Sequence, residues 1–309
     1  MNIKHAQYML TVLQEGSITA AARKLYISQP SLSQMVKLVE NNLGTPIFNR
    51  NTDPITLTYA GSKYIEAAKQ ILTINANLQK EIDEINHEDH GTIRFGIPVQ
   101  RAMQVLPYII PKFHKLYPHV EIHVFEEGSG TTETMIHEGK IDLACLTTYP
   151  KYEDINYILI EPEELVLLAG KNTSIAKRLP SGSPINIREA KNETFISIKQ
   201  GHSVRTTQDR LFLHEEIQPE ILFETKSIEV AKRMTIACDA VMICPLNYIE
   251  MTPQLLSLAV TYPLTGIENK RSFYICHRKD TYLTKYMKEF IRMMTSKDCT
   301  FLTHIPPAP

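Results

Sequence analysis

Residues 17–40, SITAAARKLYISQPSLSQMVKLVE, contain two short helical patterns separated by a tight turn. Ser17 is a suitable N-cap for a first helix over Ile18–Leu25, whose run of alanines allows a second helix to approach closely. Ser28 is suited to cap the next helix, and Pro30 lies in its first turn, where the missing N–H costs nothing. The stretch therefore predicts a helix-turn-helix pair near the N-terminus.

The second helix has two chemically different faces. Leu32, Val36 and Val39 follow at i, i+4 and i+7, so we expect them to face the core. The opposite side presents polar side chains suited to hydrogen-bonding base edges and phosphates in a major groove. The candidate DNA-binding residues are Ser28, Gln29, Pro30, Ser31, Ser33, Gln34, Lys37 and, from the following segment, Arg50. A helical hairpin with a solvated polar face is the alternative from this spacing alone.

Two short strand patterns follow the helix pair and favour the DNA-binding interpretation. Phe48–Arg50 and Pro54–Thr58 predict a hairpin, or wing, that places Arg50 near a phosphate. Thr58 is a suitable cap for the long helix that comes next.

Residues 61–88 predict a long linker helix. Apolar or small residues recur with alternating steps of four and three, which is the seam of a helix that pairs with another helix. These residues are Tyr64, Ala68, Ile71, Leu78, Ile82 and Ile85, and the polar Asn75 occupies the remaining seam position. We therefore expect a dimerisation arm, and packing of the helix on its own domain is the alternative.

Short strand patterns alternate with helical patterns from residue 91 onward, which predicts parallel sheets built from βαβ units. This alternation of strands and helices occurs twice along the chain, so we expect two α/β lobes with a ligand cleft between them. Lobe I covers about 91–162 and 266–309, and lobe II covers about 163–265. The chain is expected to cross between lobes near Glu161–Glu163 and near Thr265–Glu268.

The composition is that of a globular protein from a reducing compartment. The 309 residues carry a net charge of −1, so affinity for nucleic acid has to come from a local basic patch. The five cysteines are scattered without a C-x-x-C pair. No secretory leader and no apolar run of membrane-spanning length is evident. These features predict a cytoplasmic protein of two or three domains without membrane contact.

Residues 15–61, EGSITAAARKLYISQPSLSQMVKLVENNLGTPIFNRNTDPITLTYAG, are similar to the N-terminal signature of LysR-type transcriptional regulators. That signature contains a GS-(F/I)-T-x-A-A-x-x-L core, an S-Q-P run, and L-E-x-x-L-G, L-F-x-R and L-T-x-A-G segments. Val39 and Ile47 are small departures from it. The resemblance extends over the whole chain and implies an α/β protein with an N-terminal all-α winged helix-turn-helix (1–60), a long linker helix (61–88) and a two-lobed periplasmic-binding-protein-like effector domain (89–309).

The resemblance implies a DNA-binding transcriptional regulator that is not an enzyme and needs no cofactor. Family members usually assemble as dimers of dimers, so a homotetramer is implied. They bind double-stranded promoter DNA and respond to a small-molecule effector in the cleft. The effector, the target genes and the choice between activation and repression stay open.

The effector-binding candidates are carried over from the family by position. They are Val99, Gln100, Arg101, Ser129, Thr147, Gln200, His202, Ser203 and Thr225. Arg101 is expected to pair with a ligand carboxylate through two nitrogens. The set is polar and rich in donors, which predicts an organic anion. Solvated loop side chains are the alternative at each position.

Four other interpretations are weaker. An enzyme is disfavoured because the sequence has no G-x-S-x-G elbow, no Walker loop and no G-x-G-x-x-G after a strand. A solute-binding receptor shares the two-lobed fold but needs an export signal. His119 and His123 could share a strand face and contact a metal, yet no further ligands are evident, so no metal site is predicted. Cys238 and Cys244 leave a thiol sensor open.

Overall fold

The computed structural model describes residues 2–86, 90–250, 252–265 and 271–296. These residues form two compact units. The first contains residues 2–86 together with Asp280–Tyr282, and the second contains the remaining described residues. No helix within the described ranges is both long enough and apolar enough to cross a membrane.

The first unit consists of four helices and a two-stranded hairpin. Its elements are α1 (Ile3–Glu15), α2 (Ile18–Lys24), α3 (Gln29–Leu43), β1 (Phe48–Asn49), β2 (Thr56–Leu57) and α4 (Tyr59–Asn86). The two strands pair antiparallel, with Phe48 opposite Leu57. The winged helix-turn-helix expected from the sequence is confirmed.

Side-chain caps fix where the two motif helices begin and end. The Ser17 hydroxyl accepts a hydrogen bond from the N–H of Ala20, and the Ser28 hydroxyl accepts one from the N–H of Ser31. Both contacts satisfy backbone donors that a helix N-terminus leaves unpaired. α3 ends at Leu43 and is capped by Gly44, whose φ of 71° lies in the left-handed region that favours glycine.

The apolar face of α3 is buried, as its spacing predicts. Leu32 and Val36 are fully buried and Val39 is nearly so. They join a core that also includes Met9 of α1 and Tyr64 of α4. The opposite, polar face is thereby turned away from the core.

The linker helix α4 buries only the first half of its apolar stripe. Tyr64 and Ala68 belong to the core of the first unit, whereas Leu78 is 49% exposed and Ile85 is 75% exposed. Packing on its own domain thus explains why the apolar side chains in the first half of α4 are buried. The apolar side chains in its second half remain exposed in the single chain. Residues 87 and 88 of the expected linker lie outside the described residues.

The second unit alternates strands and helices. Its elements are β3 (His90–Gly96), α5 (Val99–Leu116), β4 (His119–Phe125), α6 (Ser129–His137), β5 (Leu143–Thr148), β6 (Ile155–Glu163), β7 (Leu165–Gly170), α7 (Ser174–Arg178), β8 (Ile185–Asn186), β9 (Phe195–Ile198), α8 (Ser203–His214), β10 (Ile221–Thr225), α9 (Ile228–Ala237), β11 (Val241–Pro245), α10 (Leu246–Glu250), α11 (Pro253–Leu256), β12 (Ala259–Thr265), β13 (Arg271–Arg278) and α12 (Lys285–Thr295).

Two sheets define two lobes. Lobe I contains the strand order β4-β3-β5-β13-β6, and lobe II contains β10-β9-β11-β7-β12-β8. The chain passes from lobe I to lobe II at Glu164, between β6 and β7, immediately after the expected crossing at Glu161–Glu163. β12 of lobe II ends at Thr265 and β13 of lobe I begins at Arg271, so most of the expected crossing at Thr265–Glu268 lies outside the described residues.

Antiparallel strands complete each sheet, and the sequence patterns did not predict all of them. In lobe II, β7 pairs antiparallel with both β11 and β12. All six residues of β7, LVLLAG, are buried, so the strand shows no alternation of apolar and polar positions. A short unbroken apolar run of this kind does not distinguish a central strand from a buried helix segment.

Candidate DNA-binding surface and ligand cavity

The polar row of α3 faces solvent. Of the candidate DNA-binding residues, Ser33 is half-buried and the others are exposed, namely Ser28, Gln29, Pro30, Ser31, Gln34, Lys37 and Arg50. The Ser28 and Ser31 hydroxyls lie 2.7 Å apart and bond to each other. The row does not pack inward against the protein, so it is sterically available to a duplex.

An open concavity lies between α3 and the wing, with Lys37 and Arg50 in its lining. Arg50 Nη2 donates to Oε2 of Glu40 at 2.5 Å. The other Glu40 oxygen accepts the N–H groups of Ile47 and Phe48. Glu40 therefore fixes the start of the wing and orients Arg50, whose side chain stays 41% exposed. Glu40 was not a sequence candidate, although it is the glutamate of the L-E-x-x-L-G segment.

A cavity of about 300 Å³ is lined by residues of both lobes. Six of the predicted effector-binding residues line it: Val99, Gln100, Ser129, Thr147, His202 and Ser203. They come from segments far apart in the sequence that the α/β topology brings together at the carboxyl ends of strands.

Four helices begin at this cavity. α5, α6, α8 and α9 each contribute their first residue to the lining. In three of them the N-cap residues, Pro98, Gly128 and His202, make no side-chain capping hydrogen bond. The first-turn N–H groups and the positive ends of the helix dipoles therefore favour negative charge in the cavity.

Two buried hydroxyl side chains lie in the inner part of the lining. The Oγ of Ser129 accepts the N–H of Thr147 at 3.2 Å, and the two residues are 4% and 2% exposed. The Thr147 hydroxyl has no hydrogen-bond partner among the described residues. Leaving a buried hydroxyl unpaired costs about 1–3 kcal/mol, so a ligand that bonded it would relieve that cost.

The rim of the cavity is charged. Glu126, Glu127 and Lys226 line it and are exposed, and His202 beside them is half-buried. Burial and the nearby Lys226 ammonium lower the pKa of His202, and Glu127 acts in the opposite direction. The imidazole is therefore uncharged at neutral pH, and Lys226 is the cation of this rim group.

Arg101 is not in the cavity lining, which corrects the sequence expectation. Its side chain is fully buried, with Nη1 donating to Glu161 at 2.9 Å and Nη2 donating to Glu163 at 2.6 Å. Its guanidinium also lies over the ring of Phe273 at 4.1 Å. Since the charge is already paired, this side chain cannot offer a bidentate contact to a ligand carboxylate.

Arg271, which the sequence did not indicate, is the arginine that lines the cavity among the described residues. Its Nη1 donates to the Oγ of Ser203 at 2.9 Å, and its other nitrogens bond Glu163. No local motif surrounds this residue, because it reaches the cavity only through the position of β13 in the sheet.

Gln200 and Thr225 also lie outside the lining, contrary to expectation. Gln200 is exposed and lines a separate shallow depression. Thr225 ends β10, where its carbonyl accepts the N–H of Lys199 and its hydroxyl accepts the N–H of Ser227. Lys226 and Ser227, which follow it, line the cavity instead.

The cysteine and histidine alternatives gain no support from the geometry. Cys238 is exposed, whereas Cys244 is buried in β11, where burial raises the pKa of its thiol to about 12. A thiol with so high a pKa is a poor nucleophile. His119 stacks on His90, and nowhere in the described part of the chain do three potential metal ligands cluster.

A winged helix-turn-helix and a two-lobed domain with a polar cavity, in one chain, define the class of ligand-responsive DNA-binding proteins. Residues 3–62 match the model of the bacterial regulatory helix-turn-helix protein, lysR family, and residues 86–298 match that of the LysR substrate binding domain. The protein belongs to the LysR family. It is a DNA-binding transcriptional regulator with an effector-binding domain, and the family consists of regulators rather than enzymes.

Individual relatives agree with this assignment. The uncharacterized HTH-type transcriptional regulator YcgK of Bacillus subtilis is 29% identical over 76% of each chain. The HTH-type transcriptional regulator CysB of Haemophilus influenzae is 27% identical over 75% of this chain and 72% of its own. A full-length OxyR variant from Pseudomonas aeruginosa has the same fold, with a TM-score of 0.65 at 18% identity over 96% of this chain and 97% of its own.

Proposed function

We propose that this cytoplasmic regulator binds a promoter operator as an oligomer, through α3 and the wing, and responds to a small organic anion in the cavity between the lobes. The observation that carries the effector proposal is the convergence of four helix N-termini on a cavity with a buried, unpartnered hydroxyl. The exposed polar row of α3 carries the operator proposal.

An organic anion suits the inner cavity for electrostatic reasons. Uncapped first-turn N–H groups and hydroxyl donors hydrogen-bond a carboxylate directly, and such charge-assisted bonds are stronger than neutral ones. Pro98, Val204 and Ile228 add apolar surface for the carbon skeleton. A ligand held by both lobes shifts the population toward the quaternary state that binds it better, with a coupling of about 1–3 kcal/mol.

The uncovered half of α4 supports self-association. Leu78, Ile82 and Ile85 are 40% exposed or more and follow the seam spacing of a helix that pairs with another helix. A second copy of α4 would cover this stripe. Two recognition helices held in one assembly would require an operator with two-fold related half-sites.

Lys37→Ala and Arg50→Ala are expected to weaken binding to a duplex from the promoter region beside the protein's own gene. Each change removes one cation from the concavity between α3 and the wing. Loss of one phosphate contact should lower the slope of log affinity against log salt by about 1. Fluorescence anisotropy across a salt series measures both quantities.

Lys63→Ala is the matched control, because Lys63 is an exposed cation of α4 outside the concavity. It should leave the affinity and the salt slope at the wild-type values. If both concavity variants also bind like the wild type while remaining folded, α3 and the wing are not the DNA-binding surface.

Thr147→Val is expected to separate ligand binding from stability. Valine keeps the shape of threonine and removes the unpartnered hydroxyl, so the free energy of unfolding without ligand should stay unchanged or rise by up to about 1–3 kcal/mol. The thermal shift produced by a panel of small carboxylates should decrease, since a ligand raises apparent stability only in proportion to its binding.

Thr148→Val is the control for this comparison. The Thr148 hydroxyl donates to Glu133 at 3.2 Å, so its removal should lower stability by about 1 kcal/mol and leave the carboxylate response in place. The proposed role of Thr147 is wrong if its valine variant loses stability like the Thr148 variant and keeps the full carboxylate response.

A further inference from the structure

The cavity between the lobes has two ends of opposite electrostatic character. The inner end contains the buried Ser129 and Thr147, and four helices begin along the cavity wall; these groups favour a negative group. The rim contains the carboxylates of Glu126 and Glu127, which repel a negative group. A ligand that spans the cavity therefore meets donors at one end and acceptors at the other.

The rim carboxylates are available to a ligand. Glu126 and Glu127 are exposed, and no hydrogen bond or ion pair ties either carboxylate to another described residue. Lys226 offers one ammonium against these two carboxylates, and the neutral His202 adds no charge. Among the described lining residues, the rim therefore has two carboxylates and one ammonium, since Arg271 is already paired with Glu163.

Two independent observations point to one ligand class. The unpartnered hydroxyl of Thr147, 2% exposed, favours a polar ligand atom at the inner end. The surplus carboxylate at the rim favours a cation at the outer end, but only modestly, because the group is exposed. A dicarboxylate would bond the Thr147 hydroxyl with one carboxylate, but Glu126 and Glu127 would repel its other carboxylate.

We propose that the effector is a small zwitterion, a carboxylate that also bears a primary amine. Its carboxylate lies among the helix N-termini and hydroxyls, and its ammonium lies between Glu126 and Glu127. This inference rests on the proposed anion-binding function of the same cavity and names the class of anion.

Calorimetric titration of the full chain with paired probes tests this assignment. One set contains the proteinogenic L-amino acids and the ω-amino acids from glycine to 6-aminohexanoate, and the other contains the corresponding acids without the amine. At least one amine-bearing acid should bind roughly three- to tenfold tighter than its partner, which is the range expected for one or two exposed ion pairs. The chain length that binds best reports the separation between the two ends.

The combined Glu126→Gln and Glu127→Gln variant should reduce that ratio to about one or below, because its rim no longer attracts an ammonium. The amine-free acids should bind as well as they do to the wild type or more tightly, because the repulsion by the two carboxylates is removed. Glu153→Gln, an exposed glutamate of lobe I outside the cavity lining, should keep the wild-type ratio. A ratio that survives in the double variant overturns the assignment of the ammonium to the rim.

The remaining outcomes separate this inference from the function on which it rests. If amine-free acids bind as tightly as their amine-bearing partners, the zwitterion is wrong and anion binding stands. If no carboxylate of either set binds, both are overturned.

Discussion

Glu163→Gln is expected to lower the free energy of unfolding by about 3–5 kcal/mol. Glu163 is 4% exposed and accepts hydrogen bonds from two buried arginines, Arg101 at 2.6 Å and Arg271. The amide keeps the size of the side chain but removes its charge. Two guanidinium groups then remain in the interior with less negative charge to compensate them, which is the costly result of breaking a buried ion pair.

Chemical denaturation of the full chain, followed by circular dichroism, measures this loss. Glu161→Gln is the matched control, because Glu161 also accepts from Arg101 but its side chain is 19% exposed. Arg101 keeps Glu163 in that variant, so the loss should be about 1 kcal/mol. Equal losses in the two variants would contradict a special role for the carboxylate of Glu163.

The position of Glu163 explains why one carboxylate affects the cavity as well as stability. Glu163 ends β6 and lies opposite Arg271, which begins β13, so it joins the two strands next to the lobe crossing at Glu164. Arg271 in turn donates to Ser203 at the N-terminus of α8 in lobe II. The ion-paired side chains of Arg101, Glu163 and Arg271, all in lobe I, therefore position the Ser203 hydroxyl, which belongs to lobe II.

Local signals in the sequence predicted the DNA-binding unit well. The caps at Ser17 and Ser28 and the i, i+4, i+7 spacing of Leu32, Val36 and Val39 depend on neighbours within a few residues. Such contacts can be inferred without knowing the rest of the fold. The same holds for the βαβ alternation that predicted two lobes.

Contacts between distant residues could not be predicted in the same way. Arg101 and Arg271 are both cations near a strand or helix end, and only the packed structure shows that the first is enclosed by carboxylates while the second lines the cavity. The rim carboxylates Glu126 and Glu127 were missed for a related reason. Their neighbour Ser129 was a candidate by position, but charge at the rim depends on which loops of the other lobe face it.

Gly61→Ala is expected to be the most damaging small change in the DNA-binding unit. A Cβ on Gly61 would lie 2.0 Å from the carbonyl oxygen of Ile47 and 2.9 Å from its carbonyl carbon. The neighbour is backbone, and the same oxygen accepts the N–H of Thr58 at 2.9 Å, so it cannot move without disturbing the junction between the wing and α4. We expect a loss of about 3 kcal/mol, the upper part of the range for overpacking.

Gly44→Ala separates steric overlap from backbone strain in the same unit. Gly44 has a φ of 71°, and apart from its chain neighbours no atom of the described residues lies within 4 Å of an added Cβ. Alanine there should therefore cost only the left-handed strain of about 1–2 kcal/mol. Chemical denaturation measures the stability of both variants, and fluorescence anisotropy with the promoter duplex measures their affinity for DNA. The Gly61 variant should lose affinity for the duplex, because displacement of Ile47 moves the wing that carries Arg50. If alanine at position 61 is tolerated as well as alanine at position 44, α4 does not pack as tightly against the wing as this distance requires.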